Sequence, residues 1–192
     1  MADITYDIST PQLDGVVERL GQGARAELYR EVAAEVQETV QDHLRSYARS
    51  HHATAARLGA RPTGNLENAK VTATSGADGA TVTVAAPGIR RALGPLTIRP
   101  KTSQSLTIPV AALAYGRTVA YLEAHGVDVF RPKGKNYLAY RENPKSKFST
   151  VLYILAKRAT LKYEPGLLPR HETLAANAAE AARDYVMEGP AE

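Results

Sequence analysis

Three histidines and an aspartate are the side chains best suited to metal binding in this chain. His43 follows Asp42, and His51 and His52 come eight and nine residues after His43. Imidazole and carboxylate groups bind zinc only where they converge on one point. Adjacent histidines on a helix point in different directions, and the H-E-x-x-H spacing that places two ligands on one helix face is absent. The sequence therefore favours a polar helix end over a metal site, and we expect neither a metal nor a cofactor.

Two other groups of residues carry part of a catalytic or nucleotide-binding pattern. Glu123 and His125 could act as an acid and a base, with Ser103 or Ser105 as a nucleophile, but no G-x-S-x-G elbow or third orienting group accompanies them. The segment Gly21-Gln22-Gly23 precedes a helix, yet the third glycine of a dinucleotide-binding loop is missing and no strand comes before it. We expect no enzymatic activity.

Basic residues are concentrated in the middle of the chain. Residues 57–163 carry 17 Lys or Arg against five Asp or Glu, a net charge of +12, whereas residues 1–56 and 164–192 each carry a net charge of −4. The basic residues fall in or beside the turns of a predicted sheet, where long side chains extend into solvent. We assign nine of them to a DNA-facing or inter-subunit role: Arg90, Arg91, Arg99, Lys101, Arg131, Lys133, Lys135, Lys145 and Lys147.

Two explanations account for this charge. The basic loops, which also include Lys157 and Arg158, could be plain solubilising charge or pair with the acidic helices of a neighbouring subunit. They could instead bind the phosphates of DNA without reading its sequence. Stacking aromatics among the Lys and Arg are sparse, with only Tyr137 and Tyr140 nearby, so the composition does not favour a single-strand binder.

The longest element that must position these groups is an amphipathic helix over residues 24–50. Its apolar residues recur at a mean spacing of 3.6 residues, and Glu31, Glu35, Glu38 and Asp42 occupy much of the other side. Tyrosine prefers sites with one wet edge, as at interfaces. We therefore predict that the apolar stripe contacts another subunit, through Tyr29, Val36, Val40, Leu44 and Tyr47.

The middle of the chain has the alternation and turn residues of antiparallel hairpins. We predict hairpins of residues 70–74 with 80–86, of residues 96–98 with 106–108, and of residues 127–130 with 137–140. Prolines beside the second pair favour edge strands. The run TVLYIL at residues 150–155 is predicted to be the best-buried strand. A short helix is predicted at residues 114–125, and an Ala-rich C-terminal helix at residues 169–187.

These elements predict an α+β fold of long helix, antiparallel sheet and C-terminal helix. We divide the 192 residues into an N-terminal arm at 1–23, one α+β domain at 24–187 and a flexible tail at 188–192. The arm is expected to be extended near its start, with a short helix around residues 16–20. The absence of cysteine excludes disulfides and thiol chemistry. No basic, apolar leader or run of 18 apolar residues is present, so we expect neither secretion by a signal peptide nor a membrane span.

Several of these features, in this order, resemble the tailed-phage virion morphogenesis proteins. The resemblance rests on the long helix, the loop Pro62-Thr63-Gly64-Asn65-Leu66, a sheet containing Ala114-Tyr115-Gly116 and Phe130-Arg131-Pro132, and the C-terminal helix. The group includes the phage Mu G-like and lambdoid tail-completion or head-to-tail joining proteins. This chain departs from them in its long segment 86–110 and in Ala124-His125-Gly126.

The resemblance implies a structural protein of the virion neck or tail, assembled in the host bacterial cytoplasm. Its partners would be further copies of itself in a cyclic homo-oligomer such as a hexamer, adjacent neck or tail proteins, and the backbone of DNA passing through a lumen. The alternative function is a basic nucleic-acid-binding protein that contacts the DNA backbone without sequence specificity.

Overall fold

A computed structural model of the protein describes residues 3–8, 20–51, 53–60, 63–143, 145 and 147–188. It confirms the α+β fold class. The chain forms two compact units, and the range 24–187 that was expected to be one domain contributes to both. Unit 1 takes in the described residues of Met1–Ser50, Gly64–Pro95 and Lys162–Glu192, and unit 2 those of His51–Thr63 and Leu96–Leu161. The chain passes between the units four times.

The sheet of unit 1 has three antiparallel strands. They are β1 (Asp3–Ile8), β2 (Lys70–Gly76) and β3 (Gly79–Ala85), in the order β1-β3-β2. Gly76 pairs with Gly79 across a two-residue turn, which confirms the first predicted hairpin. The N-terminal segment is extended as expected, and it is a strand of this sheet because Ile4 pairs with Val84. The helix predicted around residues 16–20 falls, apart from Leu20, outside the described residues, as does the tail beyond residue 188.

Two helices complete unit 1. They are α1 (Gln22–Ser50) and the C-terminal helix, which is numbered α4 (His171–Glu188) in chain order. Asn177 donates a hydrogen bond of 2.9 Å to Thr39, and Tyr185 donates one of 3.1 Å to Glu27. Later residues of α4 therefore lie beside earlier residues of α1, and the two helices run antiparallel. The core of unit 1 includes buried residues of α1, α4, β1, β2 and β3.

Unit 2 is built around a four-stranded antiparallel sheet. Its strands are β5 (Leu106–Pro109), β8 (Thr150–Ala156), β7 (Tyr137–Tyr140) and β6 (Val129–Phe130), in that order. A separate pair joins β4 (Leu96–Ile98) to β9 (Ala159–Leu161). The unit also holds the short helices α2 (Ala53–Leu58) and α3 (Val119–Ala124). The core of this unit is a separate cluster made by Ala114, Leu122, Leu152 and Tyr153.

The third predicted hairpin is confirmed, but the second is wrong. Strands β4 and β5 exist at the predicted residues, yet β4 pairs with β9 and β5 pairs with β8. Both strands are edges of their sheets, as their prolines indicated. The strand at residues 150–156 is central in its sheet, but Ile154 is 46% exposed. The best-buried strand is β3, where Val82 and Val84 have no exposed surface because α1 packs against it.

Candidate functional site

The residues considered for metal binding and catalysis have structural contacts of their own. His43 Nε2 lies 2.9 Å from the carbonyl oxygen of Gly166, and His125 Nδ1 lies 2.7 Å from that of Tyr121. The His125 and Tyr121 rings stack with centroids 4.0 Å apart. His52 lies outside the described residues. Within the described ranges, no three His, Cys, Asp or Glu side chains are grouped so that they could hold a metal ion.

The five residues predicted to form a subunit interface lie instead in the core of unit 1. Their exposed fractions range from 0 to 9%, and all five belong to the cluster that packs α1 against the sheet and α4. An apolar stripe on a helix serves equally well against its own sheet or another subunit, and here the chain itself covers the stripe. The residues concerned are Tyr29, Val36, Val40, Leu44 and Tyr47.

A polar cluster at the end of this core holds one of the predicted basic residues. The Tyr47 hydroxyl donates a hydrogen bond to the Glu164 carboxylate, and Arg91 Nε lies 3.0 Å from the second oxygen of that carboxylate. Burial, and then the hydrogen bond to Glu164, raise the pKa of Tyr47 to about 12. Arg91 is therefore paired within unit 1 and is half-buried, which argues against a DNA-facing role. Arg90, beside it, is exposed.

The other basic candidates lie in unit 2, and the strand register brings most of them to one end of its sheet. The end of β8 lies beside the start of β5, because Leu106 pairs with Ala156. It also lies beside the loop between β6 and β7, because the Leu155 amide donates a hydrogen bond of 2.8 Å to Asn136. Finally, Ile98 pairs with Ala159, so Arg99 lies opposite the turn between β8 and β9.

We call this set of side chains the basic end of unit 2. All seven are exposed, and the structure describes no ion pair between them and a carboxylate of the described chain. The sequence segments that supply them, residues 96–106, 130–137 and 155–161, contain no Asp or Glu. The members are Arg99, Lys101, Arg131, Lys133, Lys135, Lys157 and Arg158.

The loop between β6 and β7 holds its lysines on an ordered turn. Arg131 Nε donates a hydrogen bond of 2.8 Å to the Lys135 carbonyl, and its Nη2 donates one of 3.3 Å to Asn136. The Lys135 amide donates one of 3.1 Å to the Pro132 carbonyl. Gly134 has a φ of +73°, which a residue with a side chain rarely adopts. The turn thus presents Lys133 and Lys135 from a defined backbone.

The opposite end of the same sheet carries acidic as well as basic residues. Asp128 immediately precedes β6 and Glu142 comes two residues after β7, so two of the three acidic residues of unit 2 lie at that end. Lys145 and Lys147 lie in the loop between β7 and β8, which is also at that end. They are exposed but separated from the basic end by the length of β8, about 20 Å for seven residues.

Net charge differs in sign between the two units, as it does along the chain. The residues of unit 2 include 13 Lys or Arg against three Asp or Glu, a net charge of +10. Those of unit 1 include 11 Lys or Arg against 17 Asp or Glu, a net charge of −6. Sequence reasoning identified the basic loops one by one but not the end that they form, because it missed the pairing of β4 with β9 and of β5 with β8.

None of the helices in the described ranges is both long enough and apolar enough to cross a membrane. Comparison with protein-family models, with curated proteins and with solved structures gives no significant match.

Proposed function

We propose that the protein is a structural subunit of a tailed-phage virion, acting in an oligomeric head-to-tail joining or tail-completion ring at the neck or tail. Its partners would be copies of itself and the adjacent neck or tail proteins, and it would assemble in the host cytoplasm. The observation that carries this proposal is the separation of charge into a unit of −6 and a unit of +10. We propose no catalytic role for the chain.

With one acidic unit and one basic unit, the acidic surface of one copy can contact the basic surface of the next. A head-to-tail contact joins two different patches, and it closes into a ring when the rotation between copies is right. Complementary charge orients such contacts and disfavours wrong ones. On unit 1, the exposed acidic residues Glu35, Glu38 and Asp42 lie along the outer side of α1. They offer a negative surface to basic side chains of unit 2 in the next copy that lie outside its clustered loops.

Because the apolar stripe of α1 is buried in the core of unit 1, contacts between copies must use other surfaces. Exposed apolar side chains of unit 1 include Leu93, Val186 and Met187, at 72%, 51% and 78% exposure. Met187 and Val186 lie at the end of α4, and Leu93 follows a short 3₁₀ turn at Ile89–Ala92. An interface that joins such apolar residues to the charged surfaces would be mixed in character, as subunit contacts usually are.

The alternative is a protein that binds nucleic acid without belonging to a particle. The basic end of unit 2 favours this second candidate, because its side chains suit the DNA backbone and not a particular base sequence. Self-association separates the two candidates: a ring protein assembles without DNA, whereas a free DNA-binding protein has no such requirement.

Sedimentation velocity and electron microscopy of the purified protein test the ring. We expect closed oligomers at low salt, and the variant E35K/E38K should shift them towards the monomer because it reverses charge on the exposed side of α1. E67K, which reverses one exposed charge in the turn before β2, is the control for position and should sediment like the wild type. A protein that stays monomeric over the whole concentration range would contradict the proposal.

A further inference from the structure

We propose that the basic end of unit 2 is a binding surface for the phosphate backbone of duplex DNA. This inference concerns a single surface and does not depend on ring formation. It rests on the convergence of seven exposed Lys and Arg side chains from three separate stretches of the chain. The members, defined above, are Arg99, Lys101, Arg131, Lys133, Lys135, Lys157 and Arg158.

The absence of acidic residues distinguishes this end from ordinary solvated surface. Solubilising charge is normally a mixture of both signs, as on α1, where Arg30 pairs with Glu31 and Arg45 pairs with Asp42. At the basic end, none of the contributing segments contains a carboxylate. Mutual repulsion among seven like charges is unfavourable in the isolated protein, and a polyanion relieves it.

The backbone of the end is ordered by its own hydrogen bonds. The turn at residues 131–136 is closed by the Arg131 guanidinium, and Ser103 Oγ donates a hydrogen bond of 2.8 Å to the Ser105 carbonyl in the neighbouring loop. Lys157 Nζ lies 3.5 Å from the Gln104 carbonyl and links that loop to the turn after β8. Binding of DNA would therefore reduce the conformational entropy of the side chains more than that of the backbone.

The side chains at this end favour duplex backbone over single strands or base recognition. Single-strand binders stack bases on exposed aromatic rings between their basic residues. Here the nearest rings are Phe130 and Tyr137, and both are half-buried. The Phe130 ring already carries the Arg141 guanidinium 4.8 Å from its centroid. The end thus offers positive charge without a stacking platform or a helix that could enter the major groove.

The acidic outer side of α1 in a second copy is the competing partner, and it fits less well. Two of its carboxylates, those of Glu31 and Asp42, are already paired with arginines of the same helix. Glu35 accepts a hydrogen bond of 3.5 Å from Thr39. Duplex DNA carries one negative charge for about every 1.7 Å of its axis, and it provides enough phosphates for all seven basic side chains.

Fluorescence anisotropy with a 30-base-pair duplex of arbitrary sequence tests the inference. If all seven side chains contact phosphates, the slope of log affinity against log salt is about −6. The variant K133E/K135E removes two contacts at the loop tip, so the slope should fall by about 2 and affinity at 0.1 M salt should drop by at least about tenfold. A second duplex of different sequence should bind within about twofold of the first.

The matched control is K145E/K147E. It makes the same change in net charge in the same unit, but at the opposite end of the sheet, beyond the Debye length of about 10 Å at 0.1 M salt. We expect its affinity for DNA to stay within about threefold of the wild type. Equal losses in the two double variants would overturn the proposal, because binding would then follow net charge and not this surface.

Sedimentation of the same variants in the absence of DNA separates this inference from the ring. If K133E/K135E dissociates the oligomer and leaves DNA affinity unchanged, the basic end contacts a second copy and the inference is wrong. If the wild type is monomeric but its DNA affinity still depends on Lys133 and Lys135, the inference holds and the ring proposal fails. Absence of measurable DNA binding at 0.05 M salt would also overturn the inference.

Discussion

Unit 1 and unit 2 use their surfaces and cores in opposite ways. Unit 1 packs a 29-residue helix between a sheet and a second helix, and its surface is net acidic. Unit 2 has a smaller core cluster, with four buried residues and partly buried neighbours, and places most of its charge on the loops between short strands. The core of unit 1 therefore mainly supports the fold, whereas the loops of unit 2 present the surface that we propose for binding. Substitutions in each unit test that division.

The largest effect is expected from Val40→Asp in the core of unit 1. Val40 has no exposed surface, so the carboxylate would be buried without a partner. We expect a loss of more than about 4 kcal/mol of unfolding free energy, enough to unfold unit 1. Urea unfolding followed by circular dichroism measures the loss. Hydrogen exchange should show that protection falls first in α1, β2 and β3.

Ala34→Asp is the control for this substitution. Ala34 lies on the exposed side of the same helix, so Asp there costs only helix propensity, about 0.7 kcal/mol. If Val40→Asp costs no more than Ala34→Asp, the stripe is not the core of unit 1. If unit 2 loses protection to the same extent and at the same time, the two cores are coupled and the division of roles is weaker.

Leu152→Ala is the corresponding test of unit 2. Leu152 is fully buried in the small core cluster, and truncating it leaves a cavity. We expect a loss of about 3 kcal/mol in the unfolding free energy of unit 2, with hydrogen-exchange protection lost in β5, β7 and β8. Because the basic end is attached to these strands, DNA affinity should also fall once the sheet opens.

Ile154→Ala provides the comparison within the same strand. Ile154 is about half-exposed, so its truncation should cost well under half as much as that of Leu152. Equal losses would mean that the outer face of β8 is covered in solution, for instance by another copy.

A smaller effect is expected at Gly116, in a tight approach within unit 2. Gly116 has a φ of +72°, and a Cβ placed there would come within 2.8 Å of Thr63 Cγ2. Gly116→Ala should cost about 2 kcal/mol through backbone strain and this contact. Adding Thr63→Ser removes the methyl group and should recover about half of the loss, as measured by thermal unfolding. No recovery would show that the strain lies in the backbone alone.

Local patterns predicted much of unit 1 correctly. The 3.6-residue period located α1 to within two residues at its start, and the glycines at positions 76 and 79 predicted the hairpin of β2 and β3. Both signals operate over short distances in the chain. Composition likewise located the basic residues that the fold gathers in unit 2.

Long-range pairing could not be predicted in this way. The β4 strand pairs with β9, about 60 residues later, whereas the sequence favours the nearer β5, which has a similar sequence. The two triplets Leu-Thr-Ile have no feature that specifies which strand each will meet, because register depends on the surrounding core. For the same reason, the α1 stripe gave no sign of whether its own sheet or another subunit would cover it. The cluster of Tyr47, Glu164 and Arg91 joins residues more than 40 positions apart, so no local pattern predicts it.

The pH dependence of stability gives the smallest effect and the finest test of unit 1. Burial and the hydrogen bond to Glu164 raise the pKa of Tyr47 to about 12, from about 10 in an unfolded chain, and burial raises the pKa of Tyr6 to about 12. A raised pKa means that the folded state holds the proton more tightly. The stabilisation is complete below pH 10 and is lost as the pH rises from 10 to 12.

Tyr47→Phe should remove part of this alkaline slope, because phenylalanine has no proton to lose. Urea unfolding at pH 8, 10 and 11 measures it: the variant should be less stable than the wild type at pH 8, where the bond to Glu164 is lost, and the difference should shrink towards pH 11. Burial alone raises the pKa of Tyr6, so Tyr6→Phe should reduce the slope without the loss at pH 8 that comes from the bond to Glu164. Parallel curves for Tyr47→Phe and wild type would mean that Tyr47 has the same pKa in the folded and unfolded states. The cluster would then not belong to the core that distinguishes unit 1.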